Sequence, residues 1–339
     1  MVKLRDIGEK GVIEYIGRFL GRELLGLSVL GFNDDALAFK LDRKYLILNI
    51  DGFTFRYSKY YWLSYYDLGW KASTLAVSDV IVKGGIPKAV ASSVGFRKST
   101  SLKRFKEFIL GLRDSAKHHG AKYLGGDLNE AVDEWVSTAC IGFSSMKPIP
   151  RKSRIKENDI VLTYGKYGLT GAALHAHYSR INIKPWRRII EATRKPVTPL
   201  ETLEFIDKLG RKCILSSIDS SDGLAQSLLE LSKINKVGFI VENIPVDPEA
   251  VEYAKTYGLD PENLALYGGE EFYPILVISR KCLNKLRDVL REFSEFKIIG
   301  KVTATVNVYI RKKGRLVKVE SRGWEYFKNK QSTHTRRIH

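Results

Sequence analysis

Glutamine is nearly missing from these 339 residues, with Gln226 and Gln331 the only two. Methionine is equally scarce at two and cysteine numbers three. Cys140, Cys213 and Cys282 lie far apart in apolar surroundings with no Cys-x-x-Cys, which excludes a zinc ribbon or a thioredoxin-like redox pair. They are expected to be buried free thiols of a reducing compartment. Long hydrophobic runs are absent, and the 24–32 stretch is too short and too glycine-interrupted to span a bilayer as a helix. Met1-Val-Lys-Leu-Arg-Asp carries no apolar export region, so the expectation is a cytoplasmic protein without a membrane partner. No Gly-x-x-x-x-Gly-Lys-Ser/Thr loop and no protein-kinase catalytic loop occurs, so any ATP chemistry must use another cradle. The histidines offer little. His118 and His119 end a helix, where the helix dipole accounts for them, and His175 and His177 sit two apart and cannot face one metal.

Acidic residues are the minority, 38 against 56 basic ones, for a net charge of +18. The basic residues are spread out, with mild clusters at 147–156, 311–315 and 336–337 that lack aromatic interleaving or a helix-turn-helix pattern. Nucleic acid is thereby disfavoured, and steering of anionic small molecules is favoured. Against this basic background six aspartates stand out: Asp35, Asp51, Asp79, Asp127, Asp219 and Asp222. Each lies where an apolar run ends or a helix begins. A carboxylate just past a buried strand points into the crevice where α/β proteins tend to bind ligands. Several such groups repel one another unless cations are present, and hard oxygen ligands suit Mg²⁺ bridging to polyphosphate. The alternative is that each is a turn-former or N-cap.

Periodicity organises the chain. Positions 8–20 have helical spacing, and 36–41 and 45–50 are strands joined at Asp42. Asp67 is expected to N-cap a helix that reaches Asp79. The 89–96 segment is a strand and 102–118 an amphipathic helix ending at Gly120, with strands at 122–124 and 135–143. Lys147-Pro-Ile-Pro-Arg-Lys152 is the best boundary, dividing domains at 1–147 and 148–330 from a basic tail at 331–339. The second half runs from a strand at 160–164 through the turn Gly165-Lys-Tyr-Gly168, which could bind an anion at a helix N-terminus. A helical arm broken by Pro185, Pro196 and Pro199 follows, then strands at 214–218, 238–241, 273–278 and 302–310. The class is α/β (α+β), in two layered domains.

Taken together the segments resemble the thiamine-monophosphate kinases of the aminoimidazole ribonucleotide synthetase and selenophosphate synthetase superfamily. The resemblance rests on Asn33-Asp-Asp-Ala36, Asn49-Ile-Asp51, Asp67-Leu-Gly-Trp-Lys-Ala72 with Val77-Ser-Asp79 and Gly84-Gly-Ile-Pro87, and Gly125-Gly-Asp127. Asp219-Ser-Ser-Asp-Gly-Leu224, Tyr267-Gly-Gly-Glu-Glu-Phe272 and Gly323-Trp-Glu-Tyr-Phe327 complete it. It implies an N-terminal domain that forms a β-barrel across a homodimer, and a C-terminal αβ sandwich. It implies phosphorylation of thiamine monophosphate to thiamine diphosphate by ATP, with several Mg²⁺ ions held by the six aspartates, Asn49 and the Ile50 carbonyl. Gly126, Asp127, Ser221 and either Arg151 or Lys152 would meet ATP, and Glu270 and Trp324 the thiamine moiety. The histidine that relatives place on the loop after Asp51 falls here on Ser58, with Arg56 and Lys59 beside it as candidate acceptor contacts, and Leu169 replaces an aspartate at the head of a helix. These departures keep open a paralogue with another acceptor. A nucleotide-binding regulator without turnover is the alternative from another class.

Overall fold

The structure, a computed structural model, describes residues 2–20, 23, 26, 28–322 and 327. Trp324 and the 331–339 tail lie outside the described residues. Helix α1 (Leu4–Leu20) leads to β1 (Leu37–Leu41), β2 (Lys44–Thr54), the one-turn α2 (Phe55–Ser58), α3 (Tyr65–Val82), β3 (Ile86–Phe96), α4 (Leu102–His118), β4 (Lys122–Glu130) and β5 (Trp135–Ser144). These strands form a sheet in the order β1-β2-β5-β3-β4, antiparallel except for the β3–β4 pair that α4 crosses over. The second half contributes β6 (Ile160–Tyr164), α5 (Leu169–Tyr178), α6 (Arg187–Arg194), α7 (Glu201–Leu209), β7 (Ile214–Asp219), α8 (Leu224–Asn235), β8 (Gly238–Val241), α9 (Pro248–Tyr257) and α10 (Pro261–Tyr267). It ends with β9 (Pro274–Ile278), α11 (Leu283–Glu292), β10 (Phe296–Thr303), β11 (Val308–Lys312) and β12 (Arg315–Lys318), in a sheet ordered β12-β11-β8-β10-β6-β9-β7.

Helix α3 organises the interior. Nearly every side chain on it is buried, as expected of a helix covered on all sides. Its N-cap is Ser64, whose hydroxyl accepts from the Asp67 N–H while the Asp67 carboxylate accepts from the Ser64 N–H. The expected cap at Asp67 is corrected: that aspartate is the far member of a capping box. Helix α4 lies so close on α3 that a Cβ on Gly69 would stand 2.0 Å from the Phe108 carbonyl, and one on Gly111 2.0 Å from that of Tyr66. The core runs between the halves, since Phe108 and Leu112 share a cluster with Ala172 and Tyr253.

Three further expectations are corrected. The single strand at 302–310 is two, β10 and β11, separated by a bend at 304–307. Cys213 and Cys282 form a disulfide with Cα atoms 5.8 Å apart across 69 residues, leaving only Cys140 as a free thiol. The antiparallel register of β7 and β9, Ile214 opposite Ile278, brings the two cysteines together, which their spacing could not reveal. The thiol argument for a reducing compartment therefore no longer stands. No helix among the described residues is long and apolar enough to cross a membrane.

His119 is the third correction, because it is no dipole-compensating cation. It is fully buried, its Nδ1–H donates to the Ser115 carbonyl at 2.8 Å, and its Nε2 accepts from the Thr198 N–H at 3.3 Å. Burial holds its pKa down to about 4, so the ring is neutral. The unfolded chain binds a proton here near pH 6.5 and the native state does not, so stability is lost as pH falls through this window. The loss is on the order of 3 kcal/mol, from the difference of the two pKa values. Measured as the difference from wild type, the Tm of His119→Asn should gain steadily as pH falls from about 6.5 to about 4. A difference that stays constant across this window would show that His119 does not carry the effect.

Candidate active site

Drawing several acids together around one cleft requires compensation, and two cations supply it on one side. Lys83, at the C-cap of α3, is fully buried with its Nζ 2.8 Å from Asp34, 2.6 Å from Asp35 and 2.9 Å from the Ser217 carbonyl. Arg151 brings its Nε to 3.0 Å from Asp35 and its Nη2 onto Glu230, while its backbone N–H donates to Asp34 at 2.9 Å. Burial alone would raise Asp35, but Arg151 and Lys83 outweigh it and hold the carboxyl below its usual range. Lys83 is raised in turn, Asp34 and Asp35 overcoming its burial. Of the two basic residues left open by the sequence, the site holds Arg151, and Lys152 is exposed.

On the other side the acids lack such partners. Strand β2 alternates, so Asn49 points inward beneath α3 while the Ile50 side chain points out and is exposed. The Asn49 Nδ2 donates to Asp79 at 2.5 Å and to the Asp35 carbonyl at 2.8 Å. Burial, then Asp219, Asp35 and Asp51, push Asp79 well above the carboxylate range. Burial raises Asp51 to about 7 despite the Gly52 N–H at 2.6 Å, with Asp219 adding to the shift. Asp219 is raised by burial and by Asp35, even though Ser78 donates at 2.6 Å and Ser221 at 2.7 Å. Asp222 has an exposed side chain set in a cleft, and desolvation by the cleft walls, followed by Glu230 and Glu9, lifts it to about 8.

Asp127 differs in character. It is exposed on β4 and accepts from the Asn129 Nδ2 at 2.7 Å. The preceding Gly126 has a φ of 151°, and a Cβ there would lie 1.7 Å from the Ser92 carbonyl, so the strand accepts only glycine at that position.

Two cavities meet at Glu9 and Asp222. One, of about 740 Å³, is lined by Asn33, Arg151, Asp222 and Glu230 beneath α1. The other, of about 260 Å³, gathers Asp51, Ser58, Ser221, Asp222 and Glu270. Arg56 and Lys59 are not part of this wall. Successive residues of a helical turn point in different directions, so Tyr57 and Ser58 face the cavity while Arg56 lies 3.9 Å from Asp133 and Lys59 sits 4.5 Å over the Tyr65 ring. The anion expected at the 165–168 turn is intramolecular, since Glu271 accepts from the Gly168 N–H at 2.7 Å. Lys83 was missed by the sequence reading. Its one signal was a lysine closing an otherwise apolar helix.

Comparison with known proteins fits this arrangement. Residues 33–144 match the model of the AIR synthase related protein, N-terminal domain. The thiamine-monophosphate kinase of Pyrococcus horikoshii is 29% identical over 87% of this chain and 90% of its own length. The chain is thus similar to thiamine-monophosphate kinases over most of its length, and its residues 33–144 to the AIR synthase related N-terminal domain. A Thermus thermophilus protein of known structure is 28% identical, with a TM-score of 0.82 over 91% of this chain and 98% of that one. AaThiL complexed with AMPPCP and TMP, 23% identical, shares the fold with a TM-score of 0.83 over 96% of this chain and 99% of that one. These solved structures share the two-sheet mixed α/β fold seen here.

The donor set fits a hard divalent cation. Asp51, Asp79, Asp219 and Asp222 have no cationic partner among the described residues to balance them, and the buried Asn49 Oδ1 has no hydrogen-bond partner. Among the described residues no three acidic, histidine or cysteine groups stand at coordinating distance, so a bound cation would require side-chain rotation. Without a cation the folded protein retains protons at Asp51 and Asp222 that the unfolded chain has released, so stability falls as pH rises from about 4 towards about 8. Mg²⁺ should raise Tm more at about pH 8 than at about pH 5, measured against chelator. A Tm gain that is the same at both pH values would overturn the assignment of a cation to these groups.

Proposed function

We propose that this chain transfers the γ-phosphoryl group of ATP to thiamine monophosphate, giving thiamine diphosphate. The observation that carries the reading is the pair of cavities meeting at Asp222, one of a size for a nucleotide and walled by Arg151, the other walled by Ser58, Ser221 and Glu270. The kinship with enzymes named thiamine-monophosphate kinase supports the substrate pair.

Asp35, Asp51, Asp79, Asp127, Asp219 and Asp222, with Asn49 and the Ile50 carbonyl, are the residues we assign to Mg²⁺. The ions would neutralise the repulsion between two polyanions as they are brought into line. Arg151 is held rigid by Asp35 and Glu230 and orients the donor from the larger cavity. Ser221, fixed by its bond to Asp219, lines the smaller cavity beside Asp222, and we assign Gly126 and Asp127 to the nucleotide's approach. The acceptor oxygen is already ionised at neutral pH, so the chain's residues need supply no strong general base. We keep residues 1–147 as the ATP- and Mg²⁺-binding and dimerisation domain and 148–330 as a second domain, with both halves contributing to each cavity. Trp324 is kept as a thiamine contact on the resemblance alone.

The outward face of the first sheet exposes Leu37, Phe39, Leu41, Ile50, Ile86 and Ile141, an apolar surface that we read as the homodimer contact, closing the sheets into a barrel. Phe39→Asp should turn the dimer into a monomer by sedimentation, and a wild type already monomeric at micromolar concentration would overturn this part.

Turnover is tested with ATP and Mg²⁺ against thiamine monophosphate, thiamine and aminoimidazole precursors. Thiamine monophosphate should be the preferred acceptor, and Asp51→Asn and Asp79→Asn should each lower kcat by orders of magnitude with the fold intact. Near wild-type kcat in both variants would sink the metal assignment. Turnover of a different acceptor alone would replace the proposed substrate.

A further inference from the structure

Lys71 sits on α3 with only 1% of its surface exposed, yet it is outside the wall of the smaller cavity. It lies directly behind that wall and touches four of its members. Its Nζ is 2.8 and 3.0 Å from the two Glu270 oxygens and 2.8 Å from the Ser58 carbonyl. The same ammonium stands 5.0 Å from the Phe53 ring and 5.9 Å from that of Tyr60. Phe53, Ser58, Tyr60 and Glu270 all line the cavity. One buried cation therefore ties the end of β2, the turn of α2 and a loop of the second half into a single surface.

Glu270 needs such a tie. Its φ of 68° lies in the left-handed region, which is strained for a residue other than glycine. Its N–H is anchored on the Ser221 carbonyl at 2.6 Å, and Lys71 then fixes the carboxylate. About a third of the Glu270 side chain remains accessible, on the cavity side.

We propose that Lys71 is the positioning residue of the acceptor pocket and sets what Glu270 recognises: an N–H donor on an uncharged ring of the acceptor, rather than the positive charge of a cationic ring. The inference rests on the reading of the cavity as the thiamine monophosphate site. A carboxylate has about four lone-pair positions, and Lys71 occupies two of them. The remaining positions accept hydrogen bonds. The charge, however, is already balanced by an ammonium 2.8 Å away, so the pair presents little net field to a cation. Tyr57, Tyr60 and Tyr267 on the same wall supply faces for a flat ring. In thiamine monophosphate the matching group is the amino-substituted pyrimidine, with the cationic thiazolium placed elsewhere in the cavity.

The test compares wild type, Lys71→Met and Lys71→Arg in steady-state kinetics, with each protein's Tm recorded. Lys71→Met should raise the KM for thiamine monophosphate about tenfold or more, the cost of losing a charged hydrogen bond that orients the carboxylate. The KM for ATP should hold, and Lys71→Arg should restore most of the loss because it keeps the ion pair. If Lys71→Met does not fold, the charge-neutral double variant Lys71→Met with Glu270→Gln takes its place and should show the same selective rise. For the wild type, an acceptor analogue lacking the pyrimidine amino group should bind about tenfold or more weakly, while one with a neutral ring in place of thiazolium should bind nearly as well. A lowered Tm with both KM values unchanged, or dependence on the thiazolium charge rather than the amino group, would overturn the proposal while leaving the kinase reading in place. Failure of the wild type to bind or turn over thiamine monophosphate at all would overturn the kinase reading, and this proposal with it.

Discussion

A single buried ammonium carries the architecture of the site. Lys83 Nζ reaches Asp34, Asp35 and the Ser217 carbonyl at 2.8, 2.6 and 2.9 Å, so the end of α3, the loop before β1 and strand β7 converge on one atom. A lysine in this position without its partners would be unstable, and the acids without the lysine equally so. Because the three segments are far apart in the chain, the ion pairs can form only when both sheets are assembled around α3. Asp79, one turn before Lys83 on the same helix, is thereby set against Asn49 of β2 and within electrostatic reach of Asp219 of β7.

The consequence is an interior split into two electrostatic classes. Asp34, Asp35 and Glu230 are compensated by Lys83 and Arg151, and the shifts resolved for Asp35 and Glu230 lie below the normal range. Asp51, Asp79, Asp219 and Asp222 are held above it, mainly by burial and by one another. The compensated group forms a rigid wall, and the uncompensated group is reactive towards protons or cations. This negative interior belongs to a molecule whose net charge is +18, so the outer surface attracts anions towards a site whose acids favour cations. Both conditions suit a reaction between two phosphorylated molecules.

A comparable device recurs at the acceptor wall. Lys71, like Lys83, projects from α3, is nearly inaccessible and binds a carboxylate from a remote part of the chain. Two lysines of one helix thus hold the two sides of the cleft. Helix α3 can carry them because its remaining surface is largely apolar or small, with Gly69 admitting α4 to close contact.

Much of this was written in the sequence. The apolar run at 45–50 marked a buried strand ending at Asp51, while the structure decided that Asn49 points in and Ile50 out. The aspartates at the ends of apolar runs announced a cleft, because a strand's length and the turn after it are local properties. Local pattern also located α1, α3 and α4 to within a few residues, whereas α9, α10 and α11 went unread. What the sequence could not supply is pairing at a distance. It left Cys213 and Cys282 as separate thiols, His119 as a helix-end residue explained by the dipole, and Lys71 and Lys83 without roles. Each depends on which atoms from remote segments come to lie within hydrogen-bonding reach, and in a low-dielectric interior that proximity decides whether a group is charged, neutral or bonded. Composition and periodicity therefore determined the elements and the chemical type of the site, while only the tertiary packing decided which charges are balanced and which are left for a ligand.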